Sequence, residues 1–307
     1  MFMFPDQALR KLREARHARR ARAVLDTPPA IPNDDGVVLF SMIGTKVLLP
    51  YLVAAKSLQA RLGCGRFVIL DDGSLTSADR GLLDAHLGNP EVRHIAAVNT
   101  GPCPRGGTWE RLLTLLDLRR DAYVIQLDSD TVTIGAVHEV AAAVRTGASF
   151  TLRGGSDAEI VPLTEAAIRA RAAEPNSHVQ AAIEQALDRV AIPGRDALRY
   201  VRGCSGFAGF CKSGEGRGLA ELFSQEAQRL LGARRWAEWG SEQVTSNFVV
   251  ANEGRATLLP HERYFNFWNA GVPDDVRFVH FVGTYRYHGG VYDQATAAAL
   301  AFLNRRD

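Results

Sequence analysis

Three short runs in this sequence are apolar at nearly every position: VVLFSMI at 37–43, FVIL at 67–70 and AYVIQL at 122–127. A strand with one wet face alternates apolar and polar residues, so continuous runs call for burial on both faces. Between and around them the sequence reads as helices at 48–62, 77–87 and 110–118. Pro50 falls in the first turn of the first helix, where its missing N–H is tolerated, and Gly63 and Gly65 end that helix. A shorter strand is expected at 92–98, a helix at 136–146 and a further strand at 148–153. Strands alternating with helices in this way imply an α/β fold with a mostly parallel central sheet covered on both faces. Residues 164–190 alternate acids, Arg and Ala and read as one or two exposed helices, an insertion; a last helix is expected near 293–304.

In such sheets ligands bind beyond the carboxyl ends of the strands. Two acidic loops fall there: Asp71-Asp72-Gly73-Ser74 after FVIL, and Asp128-Ser129-Asp130 after AYVIQL. Acids at strand ends also cap turns and helices through backbone N–H groups, and that role stays open for each of them. The chemical alternative is that Asp128 and Asp130 offer oxygen ligands to one divalent ion, which can neutralise a diphosphate. Mg²⁺ or Mn²⁺ suits such a site, and a histidine nitrogen favours Mn²⁺. His280 in VHFVGTYR can supply it. Gly283 then permits close backbone approach to an anion, and Arg286 can fork onto phosphate oxygens.

With these motifs the chain resembles the GT-A-fold nucleotide-sugar glycosyltransferases, and among them the retaining glycogenin and bacterial lipopolysaccharide galactosyltransferase family. LDSD at Leu127–Asp130 is similar to that family's L-D-x-D, and HFVGTYR to its H-F-x-G-x-x-K, with Arg286 at the Lys position. Arg111-Leu112 resembles the basic-Leu helix ahead of the acidic strand, CSGF at 204–207 the N-S-G segment, and EQVTSN at 242–247 the D-Q-x-x-x-N segment. The five landmarks occur in the family's order over roughly 110–286. Tyr287-His288 replace the family's Pro-Trp, and FVILDDGS also resembles the nucleoside loop of an inverting family.

The resemblance implies a GT-A (Rossmann-like) catalytic domain at 31–307, behind a basic helical arm at 1–30. It implies a metal held by Asp128, Asp130 and His280. The donor, a nucleotide diphosphate sugar and foremost a UDP-sugar, would be contacted by Asp72, Arg111, Asp128, Ser129, Gly283 and Arg286. Glu242 and Gln243 would face the anomeric carbon and the acceptor, with Glu242 as base in an inverting reaction or as stabiliser of an oxocarbenium-like centre in a retaining one. Retention is the expected outcome. A plain turn at Asp72 and a helix cap at Glu242 are the structural alternatives. Trp236, Trp239, Phe267 and Trp268 are candidates for a platform under an acceptor sugar, against the commoner role of aromatics in a core. The acceptor, whether glycan, lipid, small molecule or protein, is not written in these motifs.

Two other classes compete. A sugar nucleotidyltransferase also uses carboxylates and a divalent ion, but wants a Gly-rich basic loop after the first strand, which SMIGTK at 41–46 matches faintly. A catalytically silent sugar-nucleotide-binding protein has no need to keep Asp128, Asp130 and His280 together. A net charge of +2 gives no bias toward nucleic acid. The basic residues concentrate at 9–22, with seven Lys or Arg against one Glu, and only Leu9 and Leu12 are large and apolar. That stretch reads as a solvated helix or frayed arm, with a patch for anionic lipid head groups or nucleic acid as the alternative. Four cysteines without C-x-x-C pairing imply reduced thiols and a cytoplasmic setting. MFMFPDQ lacks the pattern of a signal peptide.

Overall fold

A computed structural model describes residues 4–305, with the side chains from residue 9 onward. Along the chain the elements are α1 (Phe4–Arg22), β1 (Val37–Ile43), α2 (Leu48–Leu62), β2 (Arg66–Asp71), α3 (Ser77–Leu87) and β3 (Glu91–His94). There follow α4 (Trp109–Leu118), β4 (Tyr123–Leu127), β5 (Thr131–Thr133), α5 (His138–Thr146) and β6 (Ser149–Arg153). Next come β7 (Val161–Pro162), α6 (Leu163–Ala172), α7 (Val179–Glu184), β8 (Arg199–Tyr200), β9 (Gly203–Phe210) and α8 (Gly218–Leu231). The chain continues through α9 (Ala233–Trp236), α10 (Ser241–Ala251), β10 (Ala256–Leu258), β11 (Tyr264–Phe267), β12 (Phe278–Phe281) and α11 (Val291–Leu303). Seven strands form one sheet in the order β10-β6-β9-β4-β1-β2-β3, and β11-β12-β5 form a smaller one. The β1–β2, β2–β3 and β6–β10 pairs are parallel, and β6–β9 is antiparallel.

The chain divides into two compact units. The first comprises Met1–His94, Ile125–Ala142 and Pro260–Asp307. The continuous apolar runs are buried as their composition requires: Val38, Leu39 and Phe40 of β1 and Val68, Ile69 and Leu70 of β2 are at most 2% exposed. α2 runs over Leu48–Leu62 and stops at Gly63, whose φ of 77° is left-handed. α3 starts on a capping box in which Thr76 and Asp79 bond each other's backbone N–H. β3 is shorter than the expected 92–98. Its register pairs His94 with Asp71, the last residue of β2, so beyond His94 it has no strand to pair with and turns into a helical turn at Ile95–Ala97.

α1 is solvated over most of its surface, as its composition requires, but not along its last two turns. His17 and Ala21 are buried, and helix and body meet along α2 and α11. The His17 ring stacks on Tyr292 at 3.6 Å, its Nε2 lies 3.1 Å from Thr296 Oγ1, and Arg16 pairs with Asp293 at 2.8 Å. Burial, with the Arg286 charge adding to it, pushes His17 down to about 4.

The second unit comprises Ile95–Val124 and Ala143–Leu259. The expected insertion is present as α6 and α7, yet it is not simply exposed. Leu163, Ala166 and Ala167 of α6 and Val179, Gln180, Ile183 and Glu184 of α7 are buried, at the i, i+3, i+4 spacing of a helix face. Trp236 lies in this core with its ring edge to Trp109 and Phe223. Among the described residues all four cysteines are free thiols, and no helix is long and apolar enough to cross a membrane.

Candidate metal and donor site

In the first unit, β4 delivers Asp128 and Asp130 and β12 delivers His280, 150 residues later in the chain. The antiparallel β5–β12 register sets Thr131 opposite His280, which brings the acidic loop to the histidine. Phe281 N–H donates to Asp130 O at 2.8 Å, and Thr131 Oγ1 donates to Asp128 O at 2.9 Å, so the loop backbone is tied down. His280 Nε2 stands 3.4 Å from Asp130 Oδ1 and 4.0 Å from Asp128 Oδ2. One ligand atom from each of the three lies within 4.8 Å of the others. Two carboxylates and one imidazole at that spacing suit a divalent cation with mixed oxygen and nitrogen ligands, so the residues fit the metal that the motifs imply.

A residue the sequence reading missed completes this cluster. Asn266, buried in β11 at the register position beside His280, has its Oδ1 3.0 Å from His280 Nδ1. An amide oxygen there can accept the Nδ1 proton, which makes Nε2, the nitrogen facing the acids, the one available to a metal. The only sequence signal was one polar residue inside the run YFNF.

Arg286 belongs to the same cluster. Its Nη2 pairs with Asp130 Oδ2 and its Nε donates to Phe281 O at 3.2 Å. Burial alone would raise the Asp130 carboxyl, but His280 and Arg286 outweigh it and hold the group below its ordinary value. Gly283 opens the turn before Arg286 with φ +54°, and the Ser129 carbonyl accepts from Tyr292 OH at 3.4 Å.

Asp71 and Asp72 divide the two roles weighed for them. Asp71 is buried, pairs with Arg80 at 2.6 Å and caps Gly73 and Leu75 N–H, which is structural. Asp72 is exposed and accepts from Ser74 N–H at 2.9 Å and Ser74 Oγ at 2.6 Å. Gly44, after β1, packs against this loop so closely that a Cβ would stand 2.2 Å from Asp72 Oδ2, so a side chain there would push the Asp72 and Ser74 side chains aside.

The second unit gathers the other expected residues. Arg111 on α4 pairs with Glu242 on α10 at 3.1 Å, both nearly fully buried. Thr108 Oγ1 also donates to Glu242, at 2.9 Å, and Arg111 Nη2 donates to Ser205 Oγ at 3.2 Å. Ser205 N–H reaches Gln243 Oε1 at 3.3 Å. Of the aromatic platform, Trp236 and Phe267 are core residues, at 0% and 2% exposure, while Trp239 and Trp268 are exposed. Large rings beside apolar neighbours gain more from burial than from waiting for a ligand.

A sheet of this order, with an acidic loop and a distant histidine meeting beyond β4, is the GT-A architecture, and the chain has that fold. Among the solved structures that share it are two glycosyltransferases. The galactosyltransferase LgtC, in complex with donor and acceptor sugar analogues, is 12% identical with a TM-score of 0.50, over 86% of this chain and 95% of that one. The glycosyltransferase GlyE of Streptococcus pneumoniae TIGR4 is 10% identical with a TM-score of 0.51, over 89% of this chain and 63% of that one. No protein-family profile matches the sequence, and no curated protein is similar to it.

Proposed function

We propose that this protein is a metal-dependent glycosyltransferase that moves a sugar from a nucleotide diphosphate sugar, foremost a UDP-sugar, to an acceptor with retention. The observation that carries the reading is the Asp128–Asp130–His280 cluster, with Asn266 setting the histidine tautomer, on a GT-A fold. Mn²⁺ or Mg²⁺ held there supplies a Lewis acid for the charge growing on the departing diphosphate. Arg286, beside Asp130, adds a second positive charge to the same group, an attraction strongest in the transition state. Asp72, Ser129, Gly283 and Arg111 remain the donor contacts, and Glu242 and Gln243 the residues for the sugar.

Retention is favoured by the state of Glu242. A general base needs a carboxylate able to take a proton, whereas this one is buried and bonded by Arg111 and Thr108. Within the pair, Gln243 is the better candidate to meet the sugar. The test is to incubate the protein with Mn²⁺ and a panel of UDP-, GDP- and ADP-sugars and measure nucleoside diphosphate release. UDP release that stops with excess EDTA is expected; full release in EDTA removes the metal role, and no release from any donor removes the proposal. Proton NMR of the product decides the stereochemistry, since a β-linked product from an α-linked donor would overturn retention.

A further inference from the structure

The helical insertion carries two buried polar residues one turn apart on α7, Gln180 and Glu184. An ionised carboxylate can only accept. Glu184 Oε1 takes Gln180 Nε2 at 2.8 Å and Tyr200 OH at 2.8 Å, and Arg202 Nη1 stands 3.5 Å from Oε2. That decides which way the Gln180 amide faces: its NH₂ lies on the Glu184 side, so its carbonyl lies on the other. Gln180 Oε1 accepts from Gln243 Nε2 at 3.2 Å. Gln243 Oε1 therefore faces Ser205, with the Ser205 N–H at 3.3 Å and Oγ at 3.5 Å. Ser205 Oγ is itself taken by an N–H of Arg111, which directs its own proton to Gln243.

The result is a row of hydrogen bonds donated in one sense, from the Arg111 cation through Ser205, Gln243 and Gln180 to the Glu184 anion. Turning over either amide would set N–H against N–H and leave two bonds unmade, a buried and a part-buried one for Gln180 and part-buried ones for Gln243. The seat of α7 is equally defined. His178 caps its start by accepting Gln180 N–H at 3.2 Å, and its ring lies against Gly240, where a Cβ would come within 2.3 Å of Cε1 and φ is +102°. Gly240 immediately precedes α10, which carries Glu242 and Gln243.

We infer that Gln180 and Glu184 are positioning residues that hold the Gln243 amide in one of its two flip states. Their importance to turnover rests on the proposed reading of Gln243 as the residue facing the sugar. The insertion is then part of the machinery that orients the reacting centre, acting through Gln243 without touching substrate.

The test needs one readout that involves no substrate. Side-chain amide resonances of Gln243, in protein labelled with ¹⁵N-glutamine, report its orientation; UDP release from the donor that the wild type uses reports function. Glu184→Gln keeps the shape of the buried group but can donate as well as accept, so the row loses its imposed sense. Gln180→Leu removes the link. Both variants should shift the Gln243 amide protons and lower kcat about tenfold, the size of one ordinary hydrogen bond, with donor KM within about twofold of wild type. The double swap Gln180→Glu with Glu184→Gln restores an anion that accepts from Gln243, and should recover both the resonances and most of kcat, which a merely structural role would not predict. Gln243 resonances unmoved in Glu184→Gln, kcat unchanged where the resonances moved, or a double swap no better than the single variants would each overturn the inference. A wild type that releases no nucleotide from any donor would remove the proposed function instead, and the resonances would still decide the orientation.

Discussion

Replacing Asn266 with Leu tests the metal site through a residue that does not touch the metal. His280 faces Asp130 from Nε2, at 3.4 Å, and the Asn266 oxygen from Nδ1, at 3.0 Å. A metal can take Nε2 only once that nitrogen carries no proton, and Asn266 favours this by accepting the proton that stays on Nδ1. Asn266→Leu removes that acceptor at a position 2% exposed, so the ring holds its remaining proton on Nε2, toward Asp130, and a metal must displace it before it can bind. Loss of such an outer partner weakens metal binding about 10–100-fold, or about 1.4–2.7 kcal/mol at 1.36 kcal/mol per tenfold. The buried hydrogen bond itself is worth about 1 kcal/mol of stability without metal. Mn²⁺ titration followed by the loss of the free-ion paramagnetic resonance signal measures the first, and urea unfolding in EDTA the second. Asn266→Asp keeps the acceptor and should bind Mn²⁺ at least as tightly as wild type. Unaltered Mn²⁺ affinity in Asn266→Leu would refute the tautomer argument, even if the metal site itself survived.

Asp130→Asn should abolish measurable Mn²⁺ binding and reduce UDP release by several orders of magnitude, and should also lower stability without metal by about 1–3 kcal/mol, since Arg286 and His280 lose their shared anion; an active, Mn²⁺-binding variant would reject the ligand assignment. Lys56, buried beneath Thr27 and His86, is pushed down by that burial to about 8, from an ordinary value of 10.5. The unfolded chain therefore binds more protons between pH 8 and 10.5, so the stability of wild type relative to Lys56→Met should rise across that window by up to about 3 kcal/mol and stay flat below it. His17, held near 4 by burial and by Arg286, acts in the same sense at lower pH: docking of α1 should weaken as pH falls from about 6.5 to 4, with faster amide hydrogen exchange in α1. In His17→Phe that pH dependence should vanish. Deleting residues 1–26 uncovers the Tyr292 ring and removes buried His17, Ala21 and Val24, and should cost about 3 kcal/mol by thermal or urea unfolding; unchanged stability would restore the reading of a wholly solvated arm.

The sequence by itself determined the apolar strands β1, β2 and β4, the acidic loops and the residues that meet in the candidate metal cluster. β1 has the bounds expected of it and β4 starts one residue inside its run, because a run apolar on both faces has nowhere to go but the middle of a covered sheet, and α2 and α3 have theirs because Gly63 ends the one and Thr76 with Asp79 starts the other. Asp128, Asp130, His280 and Arg286 were legible because the motifs place rare residue types at strand ends, where local backbone puts them on the ligand side of the sheet. What only the tertiary structure decided is the second layer of each site. Asn266 meets His280 through strand register, Glu242 is neutralised by Arg111 from 131 positions away, and Glu184 reaches Gln243 through Gln180. None of these partners has a local pattern, since a polar side chain in a core is selected by the one group it must satisfy and not by its neighbours in sequence. The same reason sorted Trp236 and Phe267 into the core and left Trp239 and Trp268 in solvent: burial is a property of what packs against a ring, and the sequence states only that the ring is there.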